Sequence, residues 1–184
     1  MMALIVPIVL SAVLVFIASA LIWMVLPHHK TDWKTLPNEE AVRAALNAQK
    51  PGPGQYMIPA GGMQAMNDPA FAKKFQEGPV GILTLRKPPA SMSMGPMMVQ
   101  SFVYYLAVSF VVAYLASRTI PLGTEYLYVF RAVGTMSWLA YGFGVIPDSI
   151  WFGKPWSSTV KHLADALVFA LLTAGTFAWR WPAM

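Results

Sequence analysis

Residues 153–182, GKPWSSTVKHLADALVFALLTAGTFAWRWP, decide the fold of this chain. Ser157 and Ser158 offer hydroxyl groups that can cap a helix, and an uncharged apolar run follows Asp165. About 20 such residues cross a bilayer as a helix. The stretch therefore predicts a membrane span over 158–180, with charges where the span begins and tryptophans where it ends.

The composition of the whole chain extends this prediction to three further spans. Of 184 residues, 57% are hydrophobic and 11% are charged, whereas a soluble domain carries about 25% charged residues. We expect an all-α membrane protein, a four-transmembrane-helix bundle in which residues 147–157 form an interfacial connection before the last span. The other three spans are predicted at 3–26, 96–117 and 125–146.

The first apolar run has one alternative interpretation, a signal peptide. Ala18-Ser19-Ala20 resembles a cleavage site. No basic residue precedes the run, however, and the run continues past this tripeptide, which favours a span.

An insert, residues 27–95, separates the first two spans and carries most of the charge. Asn38 followed by two glutamates, and Asp68-Pro69, are typical helix starts. We expect a small α+β extramembrane insert that is too small to bury a good core by itself. Its predicted elements are short helices over about 38–49 and 69–77 and possible strands over 55–58 and 80–85.

The net charge of +5 indicates orientation and contact with anionic lipid rather than nucleic-acid binding, because the basic residues are spread thinly. Four spans put both termini on one side of the membrane. The positive-inside rule then predicts that the insert is cytoplasmic in a bacterial inner membrane and that both termini lie on the opposite side. Near the span ends, the insert side holds Lys30, Lys34, Arg86, Lys87, Lys154 and Lys161, and the terminal side holds Arg118 and Arg180.

A candidate polar site lies where the third span meets the fourth, at Asp148, Lys154, Lys161, His162 and Asp165. Lys161 and Asp165 are four residues apart and share a helix face. Asp165 lies about two turns inside the span, where an unpaired carboxylate is costly. It needs a partner, and Lys161 or an imidazole is available. Two interpretations stay open: a structural ion pair that fixes the start of the span, or a proton or ion relay or lipid-headgroup site.

Arg131 is a second polar candidate, because it lies inside the third span. Its long side chain can reach back towards the interface near Glu125. It can also bind an acidic lipid or an internal acceptor.

Small residues recur at every fourth position of the last span and predict close helix packing, since small side chains let helices approach in lipid. This row packs either within its own bundle or against a second copy of the chain. The row is Ala166, Ala170, Ala174 and Ala178, and the third span offers Ala140 and Gly144 at the same spacing, together with Gly134 and Gly142.

Methionines before the second span, together with His28-His29, match the soft ligands that Cu(I) prefers. The chain has no cysteine, the predicted side is cytoplasmic, and methionine is a common packing residue. We therefore predict no metal site and no cofactor. The weak metal candidates are Met92, Met94, Met97 and Met98.

The layout resembles a family of small, uncharacterised bacterial integral membrane proteins. The resemblance lies in Leu21-Ile22-Trp23, in the turn from Ile150 to Trp156 (IWFGKPW), in Asp165 near the start of the last span and in Trp181-Pro182. It implies four helices in a bacterial inner membrane and carries no activity.

No phosphate loop, nucleophile elbow, His-Glu-x-x-His pattern or dinucleotide fingerprint occurs in the sequence, so we do not expect an enzyme. The first hypothesis is an accessory or scaffold protein that binds another membrane protein or itself. The alternative is a small oligomeric transporter or channel that uses Asp165 and Arg131. A weaker alternative is a membrane-bound protein that handles lipid or metal.

Overall fold

Four long apolar helices dominate the computed structural model, which describes residues 2–89 and 93–183. The chain is mostly helical (72%) and contains a small two-stranded sheet. Each long helix has the length and composition needed to cross a membrane. These helices are Met2–Met24, Gly95–Thr119, Tyr126–Trp151 and Trp156–Trp179.

The regular elements follow in the order α1 Ile5–Met24, α2 Glu39–Gln49, β1 Gly54–Ile58, α3 Pro69–Glu77, β2 Gly81–Leu85, α4 Gly95–Thr119, α5 Tyr126–Gly142, α6 Ile146–Trp151 and α7 Trp156–Trp179. Short 3-10 helices lie at Met2–Leu4, Pro27–Asp32, Met63–Asn67 and Phe143–Val145. The chain divides into two compact units. The four-helix unit is Met1–Trp33, Ser93–Ile150 and Lys154–Met184, and the insert unit is Lys34–Met92 with Trp151–Gly153.

Helix α7 is the central helix of the four-helix unit. It packs against both α5 and α1. Half of its most apolar window is buried, compared with 22–28% for the other three long helices. Contact with two helices therefore covers the alanine-rich side of α7, and side chains on this helix are held more firmly than those on its neighbours.

Two glycines of α5 let it approach α7 closely. A Cβ atom on Gly142 would stand 2.9 Å from the Cβ of Ala166, and one on Gly134 would stand 3.4 Å from the Cβ of Ala174. Small residues on both helices make this close approach possible, as is common between membrane helices.

The predicted interfacial connection over 147–157 differs from the structure. Residues Ile146–Trp151 are helical and continue the third long helix after one 3-10 turn. Pro147 lies in the first turn of α6, a position that tolerates a residue without an N–H group. The actual connection to α7 is a short turn in which Gly153 has φ +70°, a conformation that glycine adopts readily.

A set of buried hydroxyl groups lies within the apolar interior of the four-helix unit. Ser11 Oγ and Ser109 Oγ are 3.0 Å apart, and the Tyr105 hydroxyl donates to Ser19 Oγ at 2.7 Å. The buried hydroxyls of Ser137 and Tyr141 have no hydrogen-bond partner among the described residues. We call these six residues the hydroxyl set.

The insert unit is a small α+β arrangement. Strands β1 and β2 pair antiparallel, with Gly54 opposite Leu85 and Ile58 opposite Gly81. The side chain of Asn38 accepts a bond from the N–H of Ala41 at the start of α2. Asp68 caps α3 in the same way. Neither helix has a buried residue, so capping and strand pairing, rather than a deep apolar core, hold these elements.

Candidate functional site

The site lies at the end of the four-helix unit where α1 ends and α7 begins. The 3-10 helix Pro27–Asp32 follows α1 and packs against α7. Pro27 occupies its first position, which suits a residue without an N–H group. This turn brings two histidines and an aspartate against the first turns of α7.

Asp165 is the centre of the site. It lies about two and a half turns into α7 and is 7% exposed. Its Oδ1 atom is 3.2 Å from Nε2 of His28, and its Oδ2 atom is 2.6 Å from Nε2 of His29. No lysine or arginine nitrogen lies within 4.0 Å of this carboxylate among the described residues. Two imidazoles are thus its polar partners.

His29 is held on three sides. Its side chain is 4% exposed, and its Nδ1 atom is 2.7 Å from Oδ2 of Asp32. The imidazole stacks on the indole of Trp23, with the ring centroids 3.9 Å apart and the planes 2° from parallel. Both the plane of the ring and the direction of each nitrogen are therefore fixed.

Lys161 neutralises the second carboxylate. Its ammonium group donates to Asp32 Oδ1 at 2.7 Å, to the carbonyl of His28 at 2.6 Å and to Thr31 Oγ1 at 2.8 Å. The bond from Lys161, followed by the bond from His29, lowers the pKa of Asp32 from 3.8 to about 2. We call His28, His29, Asp32, Lys161 and Asp165 the His–Asp cluster.

The net charge of the cluster depends on one proton shared between His29 and the two carboxylates. Both nitrogens of His29 face carboxylate oxygens, so two hydrogen bonds require a proton on each nitrogen or a proton on one carboxyl group. With two carboxylates, Lys161 and an imidazolium, the charges sum to zero. Removal of the proton between His29 and Asp165 leaves one negative charge and a free nitrogen lone pair. This chemistry suits the exchange of a proton or another cation.

The sequence offered Asp165 either Lys161 or an imidazole as a partner, and the structure shows imidazoles. An ammonium group has three N–H donors, and Lys161 gives all three to the 3-10 helix. Asp165 is bound by imidazoles instead, and the expected helix-face ion pair is absent among the described residues.

The remaining predicted members lie beside the cluster or away from it. His162 is adjacent, with its ring 5.3 Å from that of His29, and its Nδ1 atom bonds to the carbonyl of Ser158 at 2.8 Å. The backbone N–H of Lys154 donates to the carbonyl of Asp148 at 3.2 Å. Neither Asp148 nor Lys154 has a side-chain ion pair within the described part of the chain.

Arg131 is not brought to Asp165. Its side chain is exposed, and it lies near the opposite end of the unit. Gly142 packs at the level of Ala166, beside Asp165, and Arg131 is eleven residues before Gly142. At 1.5 Å per residue the separation along the helix is about 16 Å. A transport site built from both residues is therefore not formed.

The alanine row faces the interior of its own chain. Ala166, Ala170, Ala174 and Ala178 are all buried. Gly134 and Gly142 lie against this row, whereas Ala140 and Gly144, predicted to face it, are on the exposed side. Gly134 and Gly142 are also a multiple of four residues apart, so the spacing alone could not show which of the two pairs faces α7.

Among the described residues, no methionine candidate is hydrogen-bonded to a histidine of the cluster. Met94, Met97 and Met98 are exposed at the start of α4, and Met92 lies outside the described residues. His28 and His29 contact a carboxylate rather than thioethers.

Sequence reasoning missed the roles of His28, His29 and Asp32. The sequence did contain a signal for these roles. A His-His pair and an aspartate directly follow the first predicted span, and charged residues begin the last predicted span. If the first and last spans are antiparallel neighbours, these two stretches lie at the same membrane face.

Comparison with protein-family models, with curated proteins and with solved structures finds no match for this chain.

Proposed function

We propose that this chain is a small multi-pass membrane protein that takes up a cation at the His–Asp cluster and transports it. The observation that carries this proposal is the buried carboxylate of Asp165, bound by His28 and His29 without a lysine or arginine partner among the described residues. A buried carboxylate needs a compensating positive charge. Here the compensating positive charge is a proton on an imidazole, which can leave.

The two carboxylates have different partners, and this difference supports the proposal. Asp32 has a permanent counter-ion in Lys161, so it serves as a fixed structural partner. Asp165 depends on two imidazole groups, which, unlike a lysine, carry no permanent positive charge. Ionisable groups within membrane spans commonly mark ion pathways or proton relays.

The hydroxyl set supports a path inward from the cluster. Ser19 lies on α1 before the cluster and bonds to Tyr105, whose ring centroid is 6.2 Å from that of Tyr141. Ser109 and Ser137 lie one helical turn from Tyr105 and Tyr141, respectively. The unpartnered hydroxyls of Ser137 and Tyr141 offer acceptors for a passing ion or water.

An apolar layer closes the path towards the chain termini. Val112, Val129, Val133 and Phe177 are buried together in one cluster. A cation crosses such a layer only if the helices separate or water enters, so transport requires a second conformation of the unit.

We further propose that the protein resides in a bacterial inner membrane with the cluster at the cytoplasmic face. Basic residues near that end support this orientation. At the other end, Arg118 lies 5.5 Å from the centroid of the Tyr114 ring and Arg180 lies 5.4 Å from that of the Trp179 ring. Pairs of this kind anchor helices at an interface.

The test is cation flux into liposomes that contain the purified protein, with H⁺, Na⁺, K⁺ and Zn²⁺ assayed in turn. We expect Asp165→Asn to reduce flux at least tenfold, because the asparagine side chain has nearly the same shape as aspartate but carries no negative charge. Asp148→Asn is the matched control, since it removes a carboxylate outside the cluster, and its flux should equal that of the wild type. Equal flux through Asp165→Asn liposomes would refute the proposal.

The accessory or scaffold function stays an alternative proposal with less support. It is based on the alanine row, the insert and the lack of catalytic motifs. Of these, the alanine row packs within the chain. Purification from native membranes under mild detergent tests it: a second protein at fixed stoichiometry favours an accessory role.

A further inference from the structure

We propose that His28, His29 and Asp165 form a binding site for one divalent transition-metal ion of the zinc class. This inference rests on the proposed cation-handling function and names its ion. One ring nitrogen of each histidine and a carboxylate oxygen of Asp165 lie within 4.8 Å of one another. Zinc binds imidazole nitrogens and carboxylate oxygens, and exchangeable sites commonly have three protein ligands.

The distance between His28 and Asp165 fits a small tetrahedral ion, and the distance between His29 and Asp165 must lengthen to hold one. Two ligand atoms of such an ion stand about 3.3 Å apart, because each lies roughly 2 Å from the metal. His28 Nε2 and Asp165 Oδ1 are 3.2 Å apart. His29 Nε2 and Asp165 Oδ2 are closer, at 2.6 Å, because they share a proton. The metal takes the place of that proton.

The surroundings of His29 match those of a metal ligand. A ligating histidine usually donates its other N–H group to a carboxylate, which fixes the tautomer and raises the basicity of the ligating nitrogen. Nδ1 of His29 is 2.7 Å from Asp32, and this bond directs the lone pair of Nε2 towards Asp165. Trp23 holds the ring plane by stacking. Asp32 and Trp23 are therefore positioning residues.

A second set of side chains, His29, Asp32 and His162, also lies within 4.8 Å but is the poorer site. The ammonium group of Lys161 is bonded to Asp32 and repels a second cation at that carboxylate. Asp165 has no such neighbour among the described residues. The charge distribution thus selects the set centred on Asp165.

The ligand types select the class of metal. Calcium and magnesium prefer sites made wholly of oxygen atoms, and Cu(I) prefers sulfur ligands. Two imidazoles and one carboxylate suit Zn²⁺ and its neighbours in the first transition row. The His28 side chain is 34% exposed, so the fourth position opens on the accessible side of the cluster, where water or an exchanging ligand binds.

Isothermal titration of the full chain with ZnCl₂ tests the inference, in detergent, after removal of metals by a chelator and without a polyhistidine tag. We expect one Zn²⁺ per chain. Asp165→Asn and His29→Gln should each weaken binding at least tenfold. Asp148→Asn, the matched control outside the cluster, should bind as the wild type does.

Two further variants keep the result interpretable if a buried substitution prevents folding. His28→Gln alters the most exposed ligand and should weaken zinc binding at least tenfold while the thermal unfolding midpoint stays unchanged. Asp32→Asn should weaken binding by about 10–100-fold, as loss of the carboxylate behind a ligating histidine does. With Co²⁺ as the probe, Asp32→Asn should also shift the visible absorption bands, a signature that a purely structural role would not change.

The outcomes separate this inference from the transport proposal. Failure of the wild-type protein to bind zinc, or equal binding by wild type, Asp165→Asn and His28→Gln, overturns the metal site. If zinc binding fails in this way but proton flux still depends on Asp165, the transport proposal is supported and the metal-site proposal is refuted. Zinc binding that depends on Asp165 without flux of any cation leaves the metal site standing and removes transport.

Discussion

At the scale of single residues, Asp32 gives the cluster a stability that depends on acid. Its pKa in the folded chain is about 2, below the usual 3.8, so the folded state favours the ionised form. This contribution to the free energy of unfolding is complete above pH 3.8 and is lost as the pH falls towards 2. We expect the difference in unfolding midpoint between the metal-free wild type and Asp32→Asn to shrink over that range.

Thermal unfolding followed by circular dichroism in detergent, at several pH values between 2 and 6, measures this difference. Protonation of groups outside the His–Asp cluster affects both proteins alike and cancels in the comparison. A difference that stays constant down to pH 2 would show that the Lys161–Asp32 pair does not stabilise the fold.

Asp165 also shows what could and could not be predicted from the sequence. Asp165 was identified because a carboxylate inside an apolar run is costly without a partner. Its partners are 136 and 137 residues away along the chain, so helical spacing could not reveal them. Spacing offered Lys161 instead, and only the fold shows that its three donors are taken.

At the scale of elements, apolar runs and helix signals located the helices and strands to within a few residues, with α6 as the exception. Length and charge determine where a bilayer-spanning helix lies. Asn38 and Asp68 cap their helices as the local sequence suggests. The packing partner of each helix face is not local, which is why Gly142 rather than Gly144 meets the alanine row.

The packing of α5 on α7 predicts opposite results for two glycines two residues apart. A Cβ atom on Gly142 would meet Ala166 and Leu163 at 2.9 and 3.2 Å, whereas one on Gly144 would meet no atom of another described side chain within 4 Å. Overpacking costs about 1–3 kcal/mol. We expect Gly142→Leu to lower the free energy of unfolding by about that amount and Gly144→Leu to leave it nearly unchanged.

Reversible unfolding in mixed detergent and sodium dodecyl sulfate measures both free energies. Gly144→Leu is the matched control, since it adds the same side chain to the same span. Equal losses in the two variants would contradict the packing of α5 on α7.

At the scale of the whole molecule, the alanine row determines whether α7 holds one chain together or joins two. Ala174 is fully buried against Gly134 of its own chain. A leucine at position 174 would therefore strain the packing of α7 against α5 within one chain. Ala164 lies on the exposed side of the same helix. We expect Ala174→Leu to lower the free energy of unfolding by about 1–3 kcal/mol without a change in oligomeric mass, and Ala164→Leu to have little effect on stability.

Light scattering during size-exclusion chromatography in a mild detergent gives the mass, and unfolding gives the stability. The two readouts separate the roles because strain within one chain changes stability first, whereas strain between chains changes mass first. If Ala174→Leu halved the mass and left the unfolding free energy unchanged, the row would join two chains, and the scaffold alternative would regain its support. The expected result instead leaves the His–Asp cluster as the feature of this molecule that most needs a functional explanation, since apolar packing of α7 does not require a buried carboxylate.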